Sequence, residues 1–295
     1  MQKSRAVNTS FDVVVCGSLH LDIVVQAPQL PRIDETVVGR DWKQVCGGKG
    51  GNQAVQAAKA GAKTAMISRV GNDGFAEVLM QNLRSGGVDS TAIAVDPTTG
   101  TGMSVAILKD DGDYGAVIVS GSNLKIDPAA LPSEWDRLGG GYVLVLQNEV
   151  PHLVNVAAAS AAKAGGAAVV FNAAPVRAVR RDLLSLVDVL VVNRVEAEGM
   201  SGLVVQDRAS AVAAMPILQK LAKSIVVTLG GQGLVVSESG GKPIEIEALH
   251  VKVISTHGAG DCFVGTLAER LSKGLPLVEA CSAANLRAAE FVSGH

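Results

Sequence analysis

Short runs of β-branched residues alternate with alanine-rich stretches along most of this chain, and no other feature constrains the fold as much. The β-branched runs suit buried strands, whereas the alanine-rich stretches have the spacing of amphipathic helices. Strands separated by helices pair in parallel, because each helix carries the chain back to the edge where the strand began. The sequence therefore predicts an α/β fold, with a doubly wound, mostly parallel sheet sandwiched by helices.

Six strands and two helices carry this pattern most clearly. Both helices end at glycine, which closes helices because it tolerates the left-handed backbone conformation. Ligands of doubly wound sheets bind beyond the carboxyl ends of the strands, so we expect the functional site there. The strands are predicted at 12–17, 64–68, 142–146, 167–171, 187–192 and 224–229, and the helices at 51–62 and 75–87.

Two stretches interrupt the alternation. Residues 23–45 and 102–120 lack helical spacing, and the second has the pattern of a hairpin that turns at "DDGD". Together they predict a small separate β-sheet that acts as a lid and excludes water from a reactive phosphate. Alternatively, they add strands to the edge of the main sheet. We find no linker or repeat, so residues 1–295 are expected to form a single domain.

The composition narrows the functions that are open to the chain. Its net charge of −2 gives no general attraction for nucleic acid. No apolar run is long enough to span a membrane, and the first residues lack the apolar core of a signal peptide, so we expect a cytoplasmic protein without a membrane partner. The four cysteines show no metal-ligand spacing, which favours reduced, mostly buried thiols.

A glycine-rich stretch, "GGKGGNQA", opens the first predicted helix. Bare N–H groups at such a helix start can hold a small polar ligand, with Lys49 and Asn52 donating to its oxygens. The alternative is that these glycines serve only close packing. No G-x-G-x-x-G follows the first strand and no G-x-x-x-x-G-K-[ST] occurs, which argues against a dinucleotide-binding protein and against a P-loop kinase.

A second glycine-rich stretch, "THGAGDCFVG", places Asp261 at the predicted start of another helix. One interpretation is a first-turn acid that complements the helix dipole. The other is a general base beside a phosphate that the N–H groups of Gly258, Ala259 and Gly260 hold. This stretch alone leaves both interpretations open.

Taken together, these two stretches resemble the signature regions of the ribokinase-like (PfkB) carbohydrate kinases. The stretches "GSLHLD", "VGNDGF", "NEVP", "FNAAP", "NRVEAE" and "TLGGQG" agree with that family in order and spacing, so the resemblance covers almost the whole chain. Within the family, the ribose kinases match best. The resemblance implies an enzyme that uses ATP and Mg²⁺ to phosphorylate the primary hydroxyl of a pentose, with conversion of D-ribose to ribose 5-phosphate as the first expectation.

The resemblance also implies roles for particular residues. Asp261 matches the catalytic base, and Gly258, Ala259 and Gly260 match the anion hole for the transferring phosphoryl group. The residues that match the sugar site are His20, Asp22, Gly48, Lys49, Asn52 and Glu149.

The resemblance assigns a further group to the nucleotide and its metal. Asn193 and Glu196 match a motif that positions Mg²⁺ through water, although the same residues in isolation fit a capped, solvated helix start. The residues that match the nucleotide site are Asn193, Thr228, Gly230, Gly233, His257 and Asn285.

Two positions depart from the family pattern. His20 stands where the family's ribose kinases usually have asparagine, so a sugar hydroxyl would meet imidazole; the alternatives are a core histidine or a lid contact. Ser255 replaces an aspartate that helps to bind a monovalent cation, and the chain ends before the segment that usually completes that site. Activation by K⁺ is therefore in question.

Several alternatives remain at this point. The substrate is open among a pentose, fructose, a nucleoside and a keto-deoxy sugar acid, and a non-catalytic protein that binds sugar or nucleotide is a second class. The family often pairs its lids across a two-fold axis, so the resemblance implies a homodimer formed through the small sheet.

Overall fold

The computed structural model of the protein describes residues 11–109 and 113–294. This part of the chain forms a large sheet, a small sheet and the helices that cover the large sheet. The strands are β1 (Phe11–Cys16), β2 (His20–Ala27), β3 (Asp41–Gly47), β4 (Thr64–Gly71), β5 (Val88–Asp96), β6 (Met103–Lys109), β7 (Tyr114–Val119), β8 (Gly141–Gln147), β9 (Ala168–Asn172), β10 (Val189–Asn193), β11 (Ser224–Thr228), β12 (Leu234–Ser237) and β13 (Ile244–Ile246). The α-helices are α1 (Lys49–Lys59), α2 (Gly74–Ser85), α3 (Leu131–Arg137), α4 (His152–Ala164), α5 (Arg181–Leu184), α6 (Arg194–Ser201), α7 (Arg208–Leu218), α8 (Ala259–Ser272) and α9 (Leu277–Val292).

The large sheet has nine strands in the order β13-β12-β11-β10-β9-β8-β1-β4-β5. Every neighbouring pair from β11 to β5 is parallel, and β12 and β13 add an antiparallel edge. The prediction of a mostly parallel, doubly wound sheet is confirmed. Strands β5, β12 and β13 were not predicted, because polar residues make up most of the first half of β5 and because β12 and β13 have only four and three residues.

Alternation along β1 explains why helices cover both faces of this sheet. Val13 and Val15 point into an apolar layer that is completed by α1, α2, α8 and α9, whereas Val14 and Cys16 point into the layer completed by α3 to α7. All four side chains are fully buried. A strand that is buried on both faces reads as a continuous apolar run, which is the pattern that the sequence shows.

The small sheet has four strands in the order β3-β2-β6-β7. Its strands come from the two stretches that interrupt the helical pattern, so the prediction of a separate sheet is confirmed and the alternative of added edge strands is wrong. Strands β6 and β7 pair antiparallel, as predicted for a hairpin. Three residues of the predicted turn, 110–112, lie outside the described residues.

Two excursions of the chain build the small sheet, and each returns to the place where it left. The first excursion runs from 18 to 48, and a Cβ on Gly17 would lie 3.0 Å from the Cα of Gly50. The second runs from 101 to 120, and the N–H of Ser122 donates to the carbonyl of Gly100 at 2.9 Å. Parallel pairing of β2 with β6 joins the two excursions.

Two smaller observations concern the covalent and membrane chemistry. The four cysteines are free thiols, and Cys16, Cys262 and Cys281 are buried. Within the described ranges, no helix is long and apolar enough to cross a membrane.

Candidate active site

Polar residues stand at the carboxyl ends of five neighbouring strands of the large sheet. Ser18 and Glu149 follow β1 and β8 closely, while Asn172, Asn193 and Thr228 are the last residues of β9, β10 and β11. Because these strands are parallel neighbours, their ends meet at one edge of the sheet. Helices α1 and α8 begin near this edge, and the small sheet adjoins it through the ends of both excursions.

Asp261 lies in the first turn of α8 and is only 7% exposed. Its carboxylate accepts hydrogen bonds from Asn52 Nδ2 at 3.1 Å and from Gln53 Nε2 at 2.9 Å. Gly258 is the N-cap of α8, and no side chain caps that helix. A role limited to the helix dipole explains neither the burial of Asp261 nor these partners on another helix, so the geometry favours the interpretation as a general base.

The environment of Asp261 also sets its acidity. Burial raises the pKa of this carboxyl above its ordinary value, while the charge of Lys49 and the hydrogen bonds from Asn52 and Gln53 oppose that rise. The carboxylate of Glu149 raises the pKa slightly further. A carboxylate with a raised pKa binds a proton more strongly than an ordinary one, which suits a group that must remove a proton.

Helix α8 begins with a backbone turn that needs glycine. Gly258 has a φ of 82°, in the left-handed region that residues with a Cβ rarely adopt. Ala259 donates its N–H to the carbonyl of Thr256 at 3.2 Å. The first N–H groups of a helix have no partner within it and carry partial positive charge, so this end of α8 suits an anion.

The glycines at the start of α1 and at its N-cap are required for close packing, which agrees with one interpretation of the sequence. Gly48 has a φ of 85°, and a Cβ there would lie 2.8 Å from the backbone nitrogen of His20. A Cβ on Gly50 would lie 2.6 Å from the nitrogen of Ser18. This close approach carries Lys49 and Asn52 to the same edge of the sheet, so the packing role and a ligand-binding role are compatible.

Glu149 connects the start of α1 to the start of β2. Its Oε2 accepts hydrogen bonds from the hydroxyl of Ser18 and from the N–H of Lys49 at 2.8 Å. His20 Nδ1 lies 3.9 Å from the same oxygen. His20 is 6% exposed, and its Nε2 has no partner within the described part of the chain.

Asp22 lies on β2 in the small sheet. Its Oδ1 accepts a hydrogen bond from the hydroxyl of Ser104 on β6, and a Cβ on Gly47 would collide with its Oδ2. The predicted sugar residues therefore all lie around the start of β2, in the small sheet, and the start of α1, which covers the large sheet.

Asn193 and Glu196 form a capping box at the start of α6. Asn193 Oδ1 accepts from the N–H groups of Val195 and Glu196, and Glu196 Oε2 accepts from the N–H of Asn193 at 2.7 Å. The interpretation as a capped helix start is confirmed, but Glu196 is not solvated, since it is only 4% exposed. Burial raises its pKa, and the charge of Lys49 opposes this rise, so Lys49 acts on Glu196 as well as on Asp261.

The other predicted nucleotide residues lie farther along this edge. Thr228 pairs with Asn193 in the sheet register, and the turn after it contains Gly230 and Gly233, with φ of 58° and 88°. Asn285 donates from Nδ2 to the carbonyl of Glu247 at 2.7 Å.

His257 and Ser255 lie exposed just before α8. The Ser255 hydroxyl accepts from the N–H of His257 at 3.3 Å, and the N–H of Ser255 donates to the carbonyl of Val292. In the described structure, Ser255, His257 and Asn285 form no hydrogen bond with Asn52 or Gln53, the partners of Asp261.

The structure adds residues to which the sequence assigned no role. Gln53 donates to Asp261, and Asn172 accepts from Gln53. The hydroxyl of Ser18 donates to Glu149, and that of Ser104 donates to Asp22. The side chain of Asn123 binds both the N–H and the carbonyl of residue 19. One signal was available: Gln53 is a polar residue among alanines on the apolar side of a helix. Its partners, however, lie more than a hundred positions away in the sequence.

A buried carboxylate at a helix start, surrounded by amide, ammonium and carboxylate groups at the carboxyl edge of a parallel sheet, defines an α/β enzyme that acts on small polar molecules. Residues 10–295 match the model of the pfkB family carbohydrate kinases. The chain belongs to the PfkB family and is a carbohydrate kinase.

Known proteins of this family are similar over most of their length. A ribokinase of Lactococcus lactis subsp. lactis is 34% identical over 267 residues, which cover 90% of this chain and 85% of the relative. A deoxyribokinase of Salmonella typhi is 31% identical over 286 residues, which cover 96% of this chain and 93% of the relative. The structure of Arabidopsis thaliana ribokinase complexed with ribose and ATP has a TM-score of 0.89 and 28% identity, with 96% of this chain and 92% of that chain covered.

Proposed function

We propose that this kinase transfers the γ-phosphoryl group of ATP to the primary hydroxyl of a pentose and converts D-ribose to ribose 5-phosphate. One observation carries the proposal: Asp261 is buried at the start of α8 and is hydrogen-bonded to Asn52 of the proposed sugar site. The similarity to ribokinases, one of them complexed with ribose and ATP, supports this choice of substrates.

In the proposed reaction, Asp261 takes the proton of the sugar hydroxyl while that oxygen attacks the γ-phosphorus. The bond between the γ-phosphorus and the oxygen bridging to the β-phosphate breaks, and ADP leaves with the electron pair. Of the predicted anion hole, the N–H groups of Gly258 and Gly260 stabilise the charge on the transferring group, and the N–H of Ala259 joins them only when it leaves the carbonyl of Thr256.

The sugar site that we propose offers both donors and acceptors. Carboxylates accept from sugar hydroxyls, while amide and ammonium groups donate to them, which discriminates among sugars because an unpaired buried polar group is costly. The proposed residues are His20, Asp22, Gly48, Lys49, Asn52 and Glu149.

On the nucleotide side, we propose that the phosphates lie along the carboxyl ends of β10 and β11. No cluster of three acidic, histidine or cysteine residues in the described ranges could hold a metal directly. Asn193 and Glu196 instead fit hydrated Mg²⁺ that accompanies the nucleotide, since Mg²⁺ keeps several of its waters. When bound, the ion would neutralise phosphate charge. The proposed nucleotide residues are Asn193, Thr228, Gly230, Gly233, His257 and Asn285.

The residues near Ser255 do not fit a monovalent cation. A hydroxyl lacks the charge of the carboxylate that the family pattern has, and the N–H groups of Ile254 and Ser255 both occupy the carbonyl of Val292. The proposed reaction has no step that uses such an ion.

A second substrate is favoured by one relative and one residue. The Salmonella typhi protein is named a deoxyribokinase, and His20 places an unpartnered imidazole nitrogen in the proposed sugar site. With Nδ1 facing Glu149, the imidazole offers the sugar one hydrogen-bonding atom where an amide offers two. 2-Deoxyribose has one hydroxyl fewer than ribose and is therefore the second candidate.

The test is ATP turnover on ribose, 2-deoxyribose, fructose, nucleosides and keto-deoxy sugar acids, with Asp261→Asn as the matched variant. We expect turnover on ribose and a fall in kcat of about 10²- to 10⁴-fold in the variant, because Asn cannot take a proton. Turnover that Asp261→Asn leaves intact contradicts the mechanism, and ATP binding without turnover on any substrate supports the non-catalytic alternative.

We also propose that the small sheet covers the bound sugar as a lid on a single domain, and that two copies of the chain pair through it. Edge strand β7 exposes Val117, Ile118 and Val119 by 67%, 65% and 51%, and Trp42 on β3 is 61% exposed. Exposed apolar residues on both faces of an edge strand favour pairing with a second chain.

A further inference from the structure

Gln53 is fully buried near the start of α1, and the proposed reaction gives it no task. Its Nε2 donates to Asp261 Oδ1 at 2.9 Å and to Asn172 Oδ1 at 3.1 Å. An amide nitrogen has two hydrogens, so both are used. Burying an amide in an apolar layer is costly unless the amide is hydrogen-bonded. In Gln53 the hydrogen-bonded atom is Nε2, which faces the proposed base Asp261.

A backbone group fixes the orientation of this amide. The carbonyl of Val191 can only accept, and Asn172 Nδ2 lies 3.3 Å from it. Asn172 must therefore turn its Oδ1 towards Gln53, and Gln53 must turn its Nε2 towards both oxygens. A flipped Gln53 would set its own oxygen against Asp261 Oδ1 and Asn172 Oδ1. Asn172 on β9 thus donates to the carbonyl on β10, and Gln53 on α1 donates both to Asn172 and to Asp261 on α8.

We infer that Gln53, oriented by Asn172, is a positioning residue that holds Oδ1 of Asp261 and leaves Oδ2 to take the proton of the sugar. This inference rests on the proposed function. Oδ2 lies on the side of Asn52, which belongs to the proposed sugar site and donates to it at 3.1 Å. Asn52 uses only one of the two lone pairs of Oδ2, and the hydrogen bond at Oδ1 restrains rotation of the carboxylate away from the hydroxyl. Small displacements of a reacting group cost large factors in rate.

The same hydrogen bond affects the charge of Asp261. Burial and the carboxylate of Glu149 favour the protonated form, whereas Lys49, Asn52 and Gln53 favour the ionised form that acts as base. Loss of the Gln53 donor removes a group that binds the ionised form, so the pKa of Asp261 rises further. At a given pH, less of the carboxylate is then available.

The test compares the wild type with Gln53→Met, which keeps the length of the side chain and removes the donor. We expect kcat to fall about 10- to 100-fold, the sugar KM to stay within about twofold, and the acid limb of the kcat–pH profile to move to higher pH. Asn172→Ala frees the amide of Gln53 without removing it, so we expect a smaller change in the same direction. A wild-type kcat and an unmoved acid limb in Gln53→Met overturn the inference.

Asn155→Leu is the matched control. Asn155 is 1% exposed, donates from Nδ2 to the carbonyl of Gln147 at 2.8 Å, and has a buried oxygen without a partner in the described structure, but it does not contact Asp261. The Asn155→Leu variant loses a hydrogen bond of a buried amide, as Gln53→Met does. We therefore expect lower stability and an unchanged acid limb of the kcat–pH profile. An equal movement of the limb in Asn155→Leu assigns the effect to general destabilisation and overturns the inference.

A second measurement does not depend on turnover. The ¹³C signal of the Asp261 carboxyl, identified by its loss in Asp261→Asn, is titrated in the unliganded wild type and in Gln53→Met and Asn172→Ala. A higher pKa in the variants supports the role of Gln53 even if the wild type phosphorylates no sugar, in which case the proposed function alone fails. Equal pKa values in all three proteins contradict it.

Discussion

At the scale of single residues, His20 links the small sheet to the proposed sugar site. Its ring packs against Gly102 in the second excursion, and its Nδ1 faces Glu149. The unpartnered Nε2 is buried, and a buried nitrogen without a hydrogen bond is unfavourable unless a ligand completes it. The three interpretations of His20, as sugar ligand, core residue or lid contact, differ in what its removal does to binding.

We predict that His20→Phe raises the KM of the sugar by about tenfold and leaves the KM of ATP unchanged, because a sugar hydroxyl loses its partner. His20→Asn restores a hydrogen-bonding group and returns the sugar KM towards the wild-type value. Steady-state kinetics with each substrate varied separately make the comparison, and a thermal melt checks the fold. An unchanged sugar KM in His20→Phe, with a lowered Tm, identifies a core histidine.

Sequence motifs predicted some residues of the site and not others, for a physical reason. Asp261, Lys49 and Asn52 stand beside glycines that open helices, and this local pattern is visible in the sequence. Gln53 and Asn172 act through contacts that span 208 and 119 positions, which only the packing of α1, α8 and β9 brings together. Burial of Glu196 was likewise invisible, because the local pattern of a capped helix is the same on a solvated surface.

At the scale of elements, the approach of α8 to α1 positions Asp261. Gly265 lies one turn after Asp261 on α8, and a Cβ there would lie 2.7 Å from the nitrogen of Ala57 and 2.7 Å from the carbonyl oxygen of Gln53. The helices meet backbone to backbone at this glycine. The contact that brings Asn52 and Gln53 to Asp261 therefore depends on the missing side chain.

We predict that Gly265→Ala lowers the free energy of unfolding by about 1–3 kcal/mol and lowers kcat, because the added methyl group forces α8 away from α1. Denaturant unfolding and steady-state kinetics measure the two effects. The control is Gly74→Ala at the start of α2, where a Cβ meets nothing within 4 Å, so stability stays equal or rises slightly. Wild-type kcat in Gly265→Ala shows that the spacing of the helices does not control Asp261.

Elements were predicted best where the chain is buried on both sides. The central strands β1, β8, β9, β10 and β11 agree with the predicted ranges within a few residues, because a continuous apolar run of that length fits only a covered strand. At the edges the pattern fails: β5 exposes part of its length, and β12 and β13 are short antiparallel additions. Between β9 and β10 the chain forms only the four-residue α5 instead of a full helix.

At the scale of the whole molecule, the exposed apolar residues of the small sheet favour a homodimer. We predict a dimer at micromolar concentration by light scattering, and a monomer for the double variant Val117→Glu and Ile118→Glu, because a charge on each face of β7 opposes burial. Leu153→Glu on α4 is the control, since Leu153 is also 62% exposed but lies away from the small sheet, and it stays dimeric. A monomeric wild type contradicts the prediction.

The closed ends of the two excursions have a consequence for the ancestry of such enzymes. Gly17 touches Gly50, and Gly100 is bonded to Ser122, so each excursion can lengthen, shorten or change its residues without displacing the strands on either side. Asp261 and α8 belong to neither excursion. A lineage can thus inherit the proposed phosphoryl-transfer residues of α8 intact while the small sheet diverges, and differences in the acceptor can arise within the two segments without any change to α8.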